Sequence, residues 1–271
     1  MVGALPAGEH SSPLQGWCVA HMPRSPRRNP QSQKARQLLS KGAFKAERNE
    51  VDLKFLNLIF PPKCVFCGEI TKCDDGVCLS CRQNLPYCMA RDVAAVEGEN
   101  FVQAVSAFVY EGFVADSIYR FKERGCRWYA KSYAKYVKLA VEHYYGGIEF
   151  DYIVSAPISK GKLASRGYDQ TKLIAKHLER EIGVTYLAGA IAKVRETRKQ
   201  QGLSQLERKL NLTDAFEVLR RGEIEGRRIL FVDDVFTTGS TAEECSYALI
   251  ANGAAEVYVA AVAATLLTIE N

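Results

Sequence analysis

One stretch, Arg228 to Thr241, constrains the fold of this chain more than any other. Ile229 to Val232 is an apolar run of the length and residue type of a strand buried in a parallel sheet. Two adjacent acids, Asp233 and Asp234, fall where that strand is expected to end. Thr237-Thr238-Gly239-Ser240-Thr241 follows, and from Ala242 to Ala251 the pattern is helical. Ser240 and Thr241 each have a glutamate three residues on, Glu243 and Glu244, so either can open a capping box. A strand, a hydroxyl-rich turn with one glycine and a helix N-terminus together predict a phosphate cradle. Backbone N–H groups converge there, hydroxyls add donors and the helix dipole favours an anion.

The two acids select among phosphate ligands. No lysine follows Gly239, which excludes the nucleoside-triphosphate loop of the G-x-x-x-x-G-K-[ST] type. Carboxylates just ahead of a cradle suit a sugar phosphate, because they accept hydrogen bonds from vicinal hydroxyls while the 5′-phosphate sits in the turn. The bland alternative is an acidic turn before an ordinary helix; two acids and five cradle residues in register argue against it. The stretch resembles the 5-phosphoribosyl-diphosphate (PRPP) signature of type I phosphoribosyltransferases. That resemblance implies an α/β domain, a central mainly parallel sheet flanked by helices.

At 271 residues the chain accommodates one α/β domain and a smaller module. A formal charge of +5 is a mild excess, not the field of a dedicated nucleic-acid coat. No apolar run approaches the ~20 residues of a membrane helix, and the N-terminus lacks the pattern of a secretory signal. Six of the nine cysteines crowd between residues 64 and 88, which reads as metal binding in a reducing cytoplasm. Cys64-x-x-Cys67 and Cys78-x-x-Cys81 are separated by ten residues. Two such knuckles present four thiolates and close a tetrahedral, structural Zn2+ site with no open position. The competing readings are a redox pair or buried free thiols. Cys73 and Cys88 are left over, and either could replace one ligand.

Residues 1–50 read as a disordered or non-native tail, rich in Pro, Ser, Gln and Arg. Its Arg24, Arg27, Arg28, Lys34 and Arg36 either touch nucleic acid or lipid or are simply solvated. Residues 51–92 read as the zinc-binding module, opening with a short helix over Val51–Phe60, and residues 100–268 as the phosphoribosyltransferase domain. In that domain Phe101–Tyr110 predicts a strand, Val114–Lys122 a helix with Lys122 and Arg124 near its end, and Trp128–Tyr145 a longer helix. The stripe Tyr129, Tyr133, Tyr136, Val137, Ala140, Val141 reads as core packing. Tyr152–Pro157 predicts a second strand, followed by a basic loop with Lys160, Lys162 and Arg166 and a helix over Thr171–Ile182. A loop beyond a strand's carboxyl end is where an open α/β sheet binds its ligand. The turn Ala156-Pro157-Ile158-Ser159, with Lys160, Lys162 or Arg166, is therefore expected to hold a diphosphate, the alternative being a solvated basic loop. Leu187–Val194 predicts a third strand. The polar segment from Arg195 to Asn211, with Arg198 and Lys199, predicts an active-site flap. Phe216–Leu219 is expected to return to the sheet, and Glu256–Ala263 to form its last strand.

A cysteine-knuckle module ahead of such a domain resembles the ComF family. Tyr110 with Gly112 and Phe121-Lys122, Pro157, Arg166-Gly167-Tyr168-Asp169-Gln170, and Thr197, Gln200, Leu203-Ser204, Arg208, Asn211 and Phe216 carry the likeness over roughly residues 55–265. Asp169 stands where that family usually has Asn, and an expected downstream cysteine pair is reduced to Cys88. The resemblance implies PRPP bound with Mg2+. Asp233 and Asp234 would take the ribose hydroxyls, Thr237 to Thr241 the 5′-phosphate, and flap cations such as Arg195 and Lys199 the diphosphate. It also implies a part in the uptake of single-stranded DNA, beside a helicase partner. The alternative is a non-catalytic single-stranded-DNA-binding accessory protein on the same fold, and a further one a PRPP- or nucleotide-sensing regulator.

Overall fold

A computed structural model describes residues 61–89, 95–194 and 215–266. The tail over 1–50, the helix over 51–60 and the flap with Arg195 and Lys199 lie outside the described residues. The described residues fall in one compact unit, 57–271.

In chain order, α1 (Leu79–Asn84) closes the cysteine module. The α/β part runs β1 (Gln103–Val109), α2 (Gly112–Glu123), α3 (Tyr129–Tyr144), β2 (Tyr152–Ser155), α4 (Lys160–Arg166), α5 (Gln170–Ile182) and β3 (Thr185–Tyr186). Then come β4 (Ile191–Lys193), β5 (Phe216–Val218), α6 (Arg221–Ile224), β6 (Arg228–Phe236), α7 (Ser240–Ala251) and β7 (Glu256–Ala264). Five strands form one sheet in the order β1-β7-β6-β2-β3, every pair parallel. Strand β6 pairs on both edges: Ile229 to Val232 face Tyr152 to Ser155 on one side and Val257 to Ala260 on the other.

Period-two alternation splits the strands between two cores. Leu230 and Val232 enter the core shared with α2, α3 and α5; Ile229 and Phe231 enter the opposite one, with Ala242, Cys245 and Leu249 of α7. The aromatic stripe of α3 is core as expected, Tyr129, Tyr133 and Tyr136 being buried against Phe121 and Phe108.

Five local expectations are corrected. Strand β6 does not end before the acids but continues through them to Phe236, because β7 keeps pairing with it, Asp233 against Ala261 and Val235 against Ala263. No capping box forms: Gly239 takes the N-cap of α7, and the Glu243 carboxylate instead accepts from the backbone N–H groups of Glu99 and Asn100 at 2.9 and 3.0 Å. The basic loop is the helix α4, started by Ser159 Oγ accepting from the Lys162 N–H and stopped by left-handed Gly167. The strand over 187–194 is displaced: β3 precedes it in the main sheet, while β4 joins a separate two-stranded sheet. Residues 216–218 pair antiparallel with β4 there, and do not return to the main sheet.

The cysteine module is packed onto this frame. Ser117 Oγ of α2 donates to Val65 O at 2.6 Å, and Arg120 Nη2 donates to Phe66 O at 2.5 Å. Phe66 is buried edge-on against Phe108 and Phe113. Gly76, at φ +72°, passes so close to α3 that a Cβ would sit 2.7 Å from Ser132 Oγ. Asp75 accepts from Arg82 at 2.8 Å and from Tyr136 Oη at 3.0 Å.

The Sγ atoms of Cys64, Cys67, Cys78 and Cys81 lie within 4.8 Å of one another, with Cys67 and Cys78 3.7 Å apart. Four sulfurs at ~2.3 Å from one Zn2+ form a tetrahedron of edge about 3.8 Å, so the donor set fits a closed structural zinc site. Cys73 and Cys88 are outside the set. Stripping the metal with a strong chelator should loosen the anchorage of Phe66 and lower Tm by about 10 °C or more. Melting curves with and without chelator check this; an unchanged Tm contradicts a structural role for the metal.

Candidate functional site

From β2 the chain moves outward to β3, and from β6 it moves the other way to β7, although β2 and β6 are neighbours. That reversal makes the carboxyl ends of β2 and β6 the topological switch point of the sheet, where two connections diverge and leave a crevice. A cleft of about 730 Å³ opens there.

Three pieces of backbone build it. The first is the end of β6, with Asp233 and Asp234. Alternation sends Asp233 toward the α7 face and Asp234 toward the α2 face. Asp234 pairs with Lys122 Nζ at 2.8 Å, the two side chains being 14% and 24% exposed. The gross Coulomb attraction at that distance is about 6 kcal/mol at an effective dielectric near 20, set against the desolvation of both groups. Asp233 Oδ1 accepts from the Asp234 N–H at 2.7 Å. Burial, and then the neighbouring Asp234 carboxylate, push the Asp233 carboxyl up to about 7.

The second piece is the turn into α7. Gly239 adopts φ 76°, and a Cβ there would lie 3.0 Å from the Phe236 ring, so both conformation and space ask for glycine. With glycine at the N-cap no N-cap side chain closes the helix; the Ser240 N–H donates to Thr238 Oγ1 at 3.4 Å, and the N–H groups that follow in the first turn are available to an anion. Thr238 Oγ1 and Ser240 Oγ bond each other at 2.8 Å. Thr265 braces the turn, its N–H donating to Phe236 O at 3.0 Å.

The third piece is the turn after β2. The Ala156 N–H donates to Val232 O at 2.9 Å and Thr171 Oγ1 donates to Ala156 O at 2.6 Å, fixing the turn between β6 and α5. Asp169 caps α5, accepting from the Lys172 N–H at 2.9 Å, and its Oδ1 lies 2.8 Å from Thr171 Oγ1.

The cleft brings together Asp233, Asp234, Thr237 and Thr241 with Ala156, Pro157, Ile158, Ser159, Lys162 and Arg166. Thr238, Gly239, Ser240 and Lys160 do not line it. Arg166 is already engaged, with Nη2 2.6 Å from Glu123 Oε1. The cleft also contains residues to which the sequence assigned no role: Lys122, Tyr110, Gln170, and Lys193 with Phe216 on the far wall. The Lys193 Nζ lies over the Phe216 ring, 5.3 Å from its centroid. Lys122 had a signal, as half of the Phe121-Lys122 pair; Lys193 had none, since its place depends on a sheet the sequence did not reveal. Among the described residues, the four cysteines are the only set of three or more His, Cys, Asp or Glu side chains placed to share one ion.

Comparisons with known proteins extend this picture. The family described as a double zinc ribbon domain matches residues 55–103. Competence protein F of Haemophilus influenzae is 29% identical over 216 residues, 73% of this chain and 94% of that protein. Competence protein ComFC of Bacillus subtilis is 25% identical over 207 residues, 69% of this chain and 82% of that protein. DNA utilization protein YhgH of Escherichia coli is 38% identical over 116 residues, spanning 43% of this chain and half of that protein. Solved structures with a similar backbone include adenine phosphoribosyltransferase of Saccharomyces cerevisiae, at TM-score 0.35 and 19% identity over 67% of this chain and 98% of that one. Glutamine PRPP amidotransferase of B. subtilis gives TM-score 0.33 and 22% identity over 52% and 26%. Overlaps of that size carry no argument, and the fold rests on its own strand order.

A four-cysteine zinc ribbon joined to an α/β domain built on a five-stranded parallel sheet is thus the class of protein this is. Over about 70% of its length the chain is similar to Competence protein F and to ComFC.

The elevated Asp233 carboxyl has a consequence for stability. An aspartate ionises near 4 in the unfolded chain and at about 7 in the fold, so between those values the folded state holds the extra proton. Stability therefore falls as pH rises through that window, and the full cost is present above 7. Asp233→Asn should raise Tm relative to wild type, with a gap that widens from pH 5 to pH 8. Melting curves across that range check it; a gap independent of pH contradicts it.

Proposed function

We propose that this chain binds PRPP or a related ribose phosphate with Mg2+ in the cleft between β2 and β6, as a phosphoribosyltransferase-like protein serving DNA uptake. One observation carries the reading: carboxylates, an uncapped helix N-terminus and a small-residue turn meet at the switch point of a parallel sheet. Each matches one part of the ligand. Asp233 and Asp234 accept from the ribose hydroxyls. The first turn of α7, with Thr237, Thr238, Gly239, Ser240 and Thr241, takes the 5′-phosphate. The Ala156–Ser159 turn, with Lys162 and Arg166, takes the diphosphate.

The adjacent carboxylates and nearby threonine hydroxyls are hard oxygen donors that suit Mg2+ shared with ligand phosphates and water. When bound, Mg2+ neutralises diphosphate charge. In transfer, the bond from C1 of the ribose to the diphosphate oxygen breaks and diphosphate keeps the electron pair. An acceptor's lone pair forms the new bond to C1, and the acceptor gives up a proton. This chain's part is to position the sugar and stabilise the departing charge. The link to DNA uptake comes from the relatives named as competence and DNA utilization proteins. Calorimetric titration of zinc-loaded protein with PRPP should give saturable, Mg2+-dependent binding that Asp233→Asn with Asp234→Asn weakens at least a hundredfold. Equal affinity in the double variant would remove the assignment.

A second reading has its own support. Trp128 is 62% exposed in the α2–α3 connection, between the exposed Arg124, Arg127 and Lys131. An aromatic face among cations suits single-stranded DNA. Oligothymidylate should then bind with an affinity that falls steeply with salt, and Trp128→Ala should weaken it about tenfold. No binding at low salt would sink this reading.

A further inference from the structure

The acid pair already has a cation. Lys122 stands in the last turn of α2, and its Nζ reaches Asp234 Oδ1 at 2.8 Å with both side chains largely shielded. It also lines the cleft that the two acids share with the Ala156–Ser159 turn. Arg166, on the same cleft, is tied to Glu123 at 2.6 Å and lacks that freedom. A lysine ammonium is a point charge on a flexible four-carbon stem. It can leave a carboxylate for a nearby phosphate without any movement of the helix that carries it. A hard divalent cation entering alone must displace the ammonium from Asp234, and among the described residues no third acidic side chain is placed with the pair to complete a protein cage. A cation entering already bound to a diphosphate brings the anion that draws the ammonium away.

We propose that Lys122 is a resident counter-ion that bars the acid pair to free divalent cation and passes to the ligand's phosphates when metal and sugar phosphate enter together. This rests on the ribose-phosphate reading above and adds an order of binding to it. Lys122 is a positioning residue for the metal and a direct contact for the phosphates. Helix α2 is braced by the zinc ribbon through Ser117 and Arg120, which holds the lysine's root in place while its tip exchanges partners.

The test is Mn2+ binding to full-length, zinc-saturated protein, followed by electron paramagnetic resonance with and without PRPP. Wild type should take up Mn2+ weakly by itself and at least tenfold more tightly with PRPP. Lys122→Met should bind Mn2+ alone at least tenfold more tightly than wild type, and adding Asp234→Asn should abolish that gain. Lys122→Arg, which keeps the charge, should stay within threefold of wild type for Mn2+ alone. Melting curves confirm that each variant is folded; should Lys122→Met fail that check, Lys122→Gln replaces it. Mn2+ binding to the folded charge-removed variant no tighter than to wild type overturns the proposal. So does wild-type affinity for Mn2+ that PRPP leaves unchanged while PRPP itself binds. If PRPP binds nowhere but the variant still gains Mn2+, the barrier to free metal stands and the ribose-phosphate reading falls.

Discussion

Strand β6 is hydrogen-bonded on both edges and covered on both faces, and the site depends on that confinement. A strand in this position has no freedom of register: a slip of one residue would send Leu230 and Val232 into the wrong core and turn every side chain to the opposite face. The same alternation settles where the acids face. Asp233 is carried toward α7, where burial makes its charge expensive, and Asp234 toward α2, where an ammonium meets it. Two neighbouring and chemically identical residues thus have different electrostatic characters, because a strand alternates and the two faces of this sheet are covered by different helices.

The cysteine module is more than an appendage. Its first knuckle offers two backbone carbonyls, of Val65 and Phe66, to side chains of α2, and its Phe66 ring fills part of the core beneath. Backbone carbonyls are fixed acceptors only if the turn that presents them is fixed, and a tetrahedral thiolate site supplies that rigidity in a segment with little core of its own. Helix α2 is therefore clamped between the ribbon on one side and the sheet on the other.

Much of this was legible in the residues, and the misses have physical causes. The apolar run before Asp233, the turn around Gly239 into a helix, the two knuckles and the aromatic stripe of α3 each carry a local pattern that the structure follows. The end of β6 was misplaced because carboxylates usually close a strand, whereas β7 keeps offering backbone partners beyond them. The capping box failed because Glu243 is taken by N–H groups more than 140 residues away, which no local motif can display. Helix α4 looked like a loop because Lys160-Gly161-Lys162 has no apolar face; its two caps, Ser159 and Gly167, make it helical. The pairing of β4 with β5 joins segments separated by more than twenty residues, and nothing in a short apolar run tells which sheet it will choose. Lys122 was visible as a motif member, but its partner follows only from the packing of α2 over β6.

The brace between ribbon and α2 has an implication for the living cell. Arg120, held by a knuckle carbonyl, and Lys122, held by a cleft carboxylate, are two residues apart on one helix. Zinc supply and ligand capacity are then not independent properties of the protein. A shortage of one trace metal would reach a cleft that contains none of the metal's own ligands, through a single turn of helix.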